Sequence, residues 1–233
     1  MLRRIAAAVA LLFLSAAPGA AGERGPVVVE LFTSQGCNSC PPADALLADL
    51  AKRKDVLALA FHVDYWDYLG WKDPYASRAN TERQRAYSRA LATRFTYTPQ
   101  VVVDGAAQEV GSKRDEVEGL IAKATAKRAD APEIAVADGR VRVGAGAAAP
   151  ASVWVAYFRR SVANDVPRGE NAGRRLATTN VVRELRLLGG WDGKPVELAL
   201  GSAPPAGCDG GAILVQRAGP GAILAARVFD AAR

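Results

Sequence analysis

The sequence predicts a small α/β sandwich followed by an all-β domain of sandwich or barrel type. Two observations predict the first part. Continuous apolar runs at Val27–Phe32 and Val56–Val63 alternate with segments of helical period. A third short strand, Gln100–Val103, runs into an Asp104-Gly105 turn. One observation predicts the second part. After residue 132 the apolar runs are short, at 133–137, 141–145, 152–160, 181–188, 196–200, 212–217 and 223–229. Gly, Pro, Asp and Asn turns separate them, and no convincing amphipathic helix intervenes. The expected division is a leader over 1–21, an α/β domain over 25–128, a linker at Ala129–Pro132 and a β-rich domain over 133–233.

Each element has a local reason. Val27–Phe32 is apolar apart from Glu30, as a central parallel strand is. Thr33-Ser34-Gln35-Gly36 is a turn. Pro41-Pro42 suit a first helical turn, where a missing amide hydrogen costs nothing. That helix runs to about Arg53, with Leu46, Leu47 and Leu50 on one face. Val56–Val63 is the second buried strand. Asp64–Pro74 is an irregular loop rich in aromatic residues, and Ser77–Arg94 a polar helix. Tyr97-Thr98-Pro99 leads into the third strand, with Gln108–Val110 as its hairpin partner. Lys113–Arg128 closes the unit with Val117, Leu120, Ile121 and Ala124 facing inward.

The first residues read as a signal peptide. Leu2-Arg3-Arg4 is basic, Ile5–Ala17 is apolar except for Ser15, and Pro18-Gly19-Ala20-Ala21 supplies small residues for cleavage after Ala20 or Ala21. The apolar stretch is too short to span a bilayer comfortably, and no cysteine follows it to carry a lipid. A secreted or periplasmic protein without a stable membrane anchor is expected. The net charge of +6 is spread along the helices and not massed in one tract, which argues against nucleic acid as a partner. The sequence leaves the oligomeric state open.

Cys37-Asn38-Ser39-Cys40 lies between a buried strand and a helix marked by Pro41. Two cysteines at this spacing can form a tight disulfide, and the amide hydrogens and field of a helix start favour the Cys37 thiolate. Cys37 is then the nucleophile and Cys40 the resolving thiol. The alternative is a permanent structural cross-link. Residues 27–128 resemble a thioredoxin fold. That resemblance implies a cis Pro99 facing the cysteines, with Thr98 pairing with an extended substrate. The chain resembles more closely a family of secreted bacterial thioredoxin-like proteins of unknown function (domain of unknown function 1223). The segments that carry this are Glu30-Leu31-Phe32-Thr33-Ser34-Gln35-Gly36-Cys37, Cys40-Pro41-Pro42-Ala43-Asp44, His62-Val63-Asp64-Tyr65-Trp66-Asp67, Tyr97-Thr98-Pro99-Gln100 and Thr179-Asn180-Val181-Val182. The implied fold class is an α/β thioredoxin-like domain followed by an all-β, sandwich or barrel-like, domain. Two departures matter: the dipeptide between the cysteines is Asn-Ser, and Gly36 stands where ordinary thioredoxins have Trp.

Further residues have two readings each. By the same resemblance, Glu30 is a buried acid that relays a proton to Cys40; otherwise it caps loop amides. His62, the chain's one histidine, either serves the thiols or is a satisfied semi-buried side chain. Tyr65, Trp66, Tyr68 and Trp71 either wall a substrate groove or pack their own loop. Asp64 and Asp67 position His62 or cap the turn. Asp44 favours the helix dipole, although an acid that close opposes thiolate formation at Cys37. Cys208 is the odd thiol, in a loop. Arg168, Glu170 and Asn171 belong to a polar segment that faces either the cysteines or solvent.

The leading expectation is thiol–disulfide exchange on a substrate protein or a small thiol, with Cys37, Cys40, Glu30 and Pro99 as catalytic residues, Thr98, Trp66 and Tyr65 contacting substrate, and His62 and Asp64 as auxiliaries. No flavin or nicotinamide motif is evident, so no cofactor is expected. One alternative is copper binding or delivery by Cys37, Cys40 and His62. Another is a non-catalytic envelope binding protein that uses the β-rich part.

Overall fold

The computed structural model describes residues 25–128, 131–147 and 150–231; the expected signal peptide lies outside them. In order come β1 (Val27–Thr33), α1 (Pro41–Leu50), β2 (Val56–His62), a 3-10 turn (Asp67–Leu69), α2 (Arg78–Ala90), β3 (Gln100–Val103), β4 (Ala107–Val110) and α3 (Arg114–Ala126). They are followed by β5 (Ile134–Ala137), β6 (Arg140–Val143), β7 (Ala151–Val166), β8 (Arg174–Trp191), β9 (Val196–Ala199), β10 (Gly210–Arg217) and β11 (Ile223–Asp230).

The expected fold class, an α/β thioredoxin-like domain and then a separate all-β domain, is not what forms. Strands from both halves join one mixed sheet of order β11-β10-β7-β8-β2-β1-β3-β4, and β5-β6-β9 make a small second sheet. Eleven strands and three α-helices among the described residues make the protein mostly β. The physical reason lies at β2. Every residue of β2 is buried, and its outer edge needs a hydrogen-bonding partner. β8 supplies it in parallel, at Ala60↔Val181. Asn180 adopts a positive φ of 50° beside that bridge, a conformation that asparagine tolerates better than most residues. Its Nδ2 donates to Ala58 O at 2.8 Å, so a side chain takes over a bond of the ladder.

The sheet has two covered faces. Val27, Val29 and Leu31 of β1 pack with Ala43, Leu46, Leu47 and Leu50 of α1 and with Val117 and Ile121 of α3. Val28 and Phe32 point the other way, toward Phe61, Tyr87 of α2, Ala212 and Leu214. The period of two along β1 therefore decides which residues share a face with the cysteines. Thr33 and His62, paired at the ends of β1 and β2, lie on the α1 face. Glu30 lies on the α2 face.

The arms β7 and β8, 16 and 18 residues long, outrun the apolar runs that announce them. Their tip, residues 167–173, reaches back over the start of α1.

Candidate redox site

Cys37 and Cys40 are joined as a disulfide with Cα atoms 5.4 Å apart. Cys40 is the N-cap of α1, so Cys37 stands just ahead of the helix. Cys37 N donates to Ser34 O at 3.1 Å, and Cys40 N to Cys37 O at 3.3 Å. Gly36 permits the tight path, since a Cβ there would lie 3.1 Å from Trp66 Cβ.

The Thr98–Pro99 peptide is cis, and the turn lies against the disulfide. The Thr98 hydroxyl donates to Cys37 Sγ at 3.3 Å and accepts from Trp66 Nε1 at 2.8 Å. Ser39 Oγ is 3.4 Å from the same sulfur. Gly111 N donates to Pro99 O at 2.9 Å. A Cβ on Gly111 would come within 2.9 Å of Leu31 Cδ1 and 3.0 Å of Ala43 Cβ, so β4, the Pro99 turn and α1 meet there without room for a side chain.

The sulfurs are covered. Cys37 is 1% exposed and Cys40 0%. The β7–β8 tip contributes to the cover, as Asn171 is fully buried and its Nδ2 donates to Gln35 O and Cys37 O, both at 2.9 Å. Glu170 Oε2 accepts from Asn38 N at 3.1 Å, and Arg174 Nη1 donates to Asn171 Oδ1 at 2.9 Å. Trp71 Nε1 donates to Gln35 Oε1 at 3.0 Å. Arg168 is exposed.

Other residues singled out in the sequence fall into separate groups. Glu30 is fully buried and engages α2: Arg83 Nε donates to its Oε1 at 2.7 Å, and the Tyr87 hydroxyl donates to its Oε2. Asp64 Oδ1 accepts from the Thr81 hydroxyl at 2.6 Å, so it caps the approach to α2 and does not hold His62. Tyr65 OH donates to Gln84 Oε1 at 3.2 Å. Tyr68 is exposed. Cys208 is buried and unpaired, and burial pushes its thiol up.

Asp73 and Thr33 were not singled out, and they matter. Asp73 Oδ2 accepts from His62 Nδ1 at 2.7 Å and from Gln35 N at 2.8 Å, and its Oδ1 accepts from Tyr75 N at 2.9 Å. Burial works to raise the Asp73 carboxyl, but His62 and these amides hold it below the ordinary range. Burial likewise opposes charge on His62, and the Asp73 and Asp44 carboxylates outweigh it, so its pKa is raised. Burial pushes Asp44 up to about 7. The only sequence signal for Asp73 is an acid inside an aromatic loop. Among the described residues no three His, Cys, Asp or Glu side chains converge as a metal site, and none of the helices is long and apolar enough to cross a membrane.

Comparison with known proteins places the chain in a family. A crystal structure of a protein from Agrobacterium tumefaciens is similar at 37% identity and a TM-score of 0.76, over 90% of this chain and 96% of that one. HBP35 of Porphyromonas gingivalis shares the fold at 13% identity and a TM-score of 0.59, over 88% of this chain and 75% of that one. Comparison with curated proteins gave no match. The family model described as "Protein of unknown function (DUF1223)" matches residues 28–216, and the chain belongs to that family.

Proposed function

We propose that the protein is a thiol–disulfide oxidoreductase that works through Cys37 and Cys40 on a protein or small-thiol substrate, in an exported, oxidising setting where such a pair persists. The observation that carries this reading is the Cys37–Cys40 disulfide at the start of α1 with the Thr98 hydroxyl on Cys37 Sγ. A helix start supports a thiolate at the first cysteine. Trp66, which donates to Thr98, gives an incoming substrate an aromatic wall. In the oxidising half-reaction a substrate thiolate attacks Cys37 Sγ, the intramolecular disulfide breaks, and Cys40 leaves with the electron pair. A second substrate thiol then attacks the mixed disulfide, which leaves the substrate oxidised and the protein dithiol reduced. The β7–β8 tip must move aside for the first step, because the Cys37 sulfur is closed in this state.

The same closure favours a second reading, a permanent structural cross-link. Thiol trapping in glutathione buffers on Cys208→Ser protein separates the two. A reversible transition of the folded protein, abolished by Cys37→Ser, supports exchange. A disulfide that resists reduction until the chain unfolds supports the cross-link and refutes exchange.

A further inference from the structure

Beneath the first turn of α1 lies a pocket of buried polar atoms without hydrogen-bond partners. They are Thr33 Oγ1, Gln35 Nε2, Asp44 Oδ1 and His62 Nε2. They come from four places in the chain: the ends of β1 and β2, the turn before Cys37, and α1 itself. Thr33 nonetheless faces the Asp44 carboxyl closely enough to act on it as a hydrogen-bond donor, so the unmet cost, about 1–3 kcal/mol per atom, falls chiefly on His62 Nε2 and Gln35 Nε2. His62 is 1% exposed. Its Nδ1 is committed to Asp73, which leaves Nε2 free inside the pocket, the arrangement in which an imidazole is oriented by a carboxylate for proton transfer. Asp44 stands one helical turn after Cys40, its amide donating to Cys40 O at 3.1 Å. Residues four apart share a helix face, so the Asp44 carboxyl and the Cys40 side chain project from the same side of α1. Thr33 lies close enough to Asp44 to lower its pKa, and the charges of Asp44 and His62 act on each other. The other charged groups near the pocket are Asp73 from the loop and Arg183 from β8, which opposes charge on His62. Glu30, the acid that the sequence offered for this task, is on the far face of the sheet with Arg83.

We propose that Asp44, with the His62–Asp73 pair behind it, takes up and returns the proton of Cys40 during disulfide exchange. This rests on the exchange reading above. When the reduced protein meets a substrate disulfide, the Cys37 thiolate attacks it, one substrate thiolate leaves, and a mixed disulfide remains on Cys37. Asp44 then accepts the Cys40 proton. The Cys40 thiolate attacks Cys37 Sγ, the Cys37–Cys40 bond forms, and the second substrate thiolate departs. Two electrons pass from the protein to the substrate. The proton on Asp44 passes to solvent when the pocket reopens. His62 and Asp73 set the charge that Asp44 experiences and act as positioning residues.

The test is stopped-flow oxidation of reduced Cys208→Ser protein by an aryl disulfide whose released thiolate is coloured. Attack by Cys37 releases the first equivalent and resolution by Cys40 the second, so the two steps are seen apart. The second phase is expected to show an inflection near neutral pH. Asp44→Asn is expected to slow it by about 100-fold and abolish the inflection, while the first phase, in which removal of an acid favours the Cys37 thiolate, is not slowed. His62→Gln is expected to move the inflection. The lone histidine also gives a single imidazole signal in tag-free protein, and its titration midpoint is expected to fall in Asp44→Asn. Two resolved phases with no inflection in the unsubstituted protein overturn the relay and leave exchange standing. So does a second phase that Asp44→Asn and His62→Gln leave unaltered. A folded protein that never releases a first equivalent overturns exchange, and the relay with it.

Discussion

Replacing Glu30 by alanine is expected to destabilise the protein severely, through Arg83. Arg83 is nine-tenths buried with its side chain stacked over the rings of Tyr87 and Phe61, 5.0 and 5.5 Å from their centroids. Its Nε donates to Glu30, and its Nη2 donates to Tyr87 OH at 3.0 Å and to Gln216 Oε1 at 3.1 Å. Gln216 Nε2 donates to Tyr87 OH at 2.7 Å, and the Tyr87 hydroxyl in turn donates a hydrogen bond to Glu30. Burial and the Glu30 charge together hold the Tyr87 phenol well above its ordinary pKa. Glu30 is the only anion in this network. Its removal leaves a buried guanidinium unpaired, a change that costs about 3–5 kcal/mol. At about 2–4 °C per kcal/mol for a chain of this size, the melting temperature falls by roughly 6–20 °C. The double variant Glu30→Ala/Arg83→Met no longer buries an unpaired charge and is expected to recover more than half of the loss. Urea titration and thermal melting of the two single variants and the double variant give the coupling. A Glu30→Ala loss below about 1 kcal/mol, or strict additivity in the double variant, would refute this account. Because Glu30 faces α2, Glu30→Gln protein that folds is expected to keep the thiol reactivity of the parent.

Three other outcomes follow from the site. Asn171→Ala removes two bonds from the cover over Cys37, and at about 1 kcal/mol each the rate of disulfide reduction by a small phosphine is expected to rise by about tenfold or more; an unchanged rate would show that the tip does not limit access. Asp44 has a folded-state pKa raised from 3.8 to about 7. The stability linked to it is therefore fully present below pH 4 and is lost as pH rises toward 7. Asp44→Asn is thus expected to match the parent in urea titrations at pH 4 and exceed it at pH 8, with a ceiling of about 4 kcal/mol; equal stability at both values would contradict the raised pKa. Gly111→Ala is expected to cost about 1–3 kcal/mol by overpacking and to shift the nuclear magnetic resonance signals of Leu31, Ala43 and Pro99 together, whereas changes confined to β4 would argue against a shared contact.

Much of the first half was legible because its signals are local. Val27–Phe32, Pro41-Pro42 and the Asp104-Gly105 turn each announce their element within a few residues, and β1, α1 and β3 form where they point. The spacing of Cys37 and Cys40 allows the disulfide they form, whereas the place of Thr98 beside them came from the resemblance to a thioredoxin fold and not from local signals. The joining of the halves was not legible. It rests on β8 meeting β2 at one bridge, Ala60↔Val181, and nothing in Val56–His62 names its partner. Residues 160–166 and 174–180 are polar because their arms are largely exposed, so a search for apolar runs ends β7 early and starts β8 late. The period of two along β1 already put Glu30 on the opposite side from Leu31. Which of those sides α1 covers is a tertiary fact, and it left Glu30 on the α2 face with Arg83 and Tyr87, away from the cysteines.

The distance along the chain between the disulfide and its cover has a consequence for biosynthesis. Cys37 and Cys40 leave the ribosome well over a hundred residues before Asn171 does. Contacts of such long separation form late. A nascent chain that already holds β1, α1 and β2 therefore presents both thiols uncovered, with the β2 edge still open. Oxidation before the hairpin tip docks meets no cover over the sulfurs, whereas any later exchange must first lift that tip. The order in which these contacts form thus leaves the cysteine pair open early, and the finished fold makes every later encounter conditional.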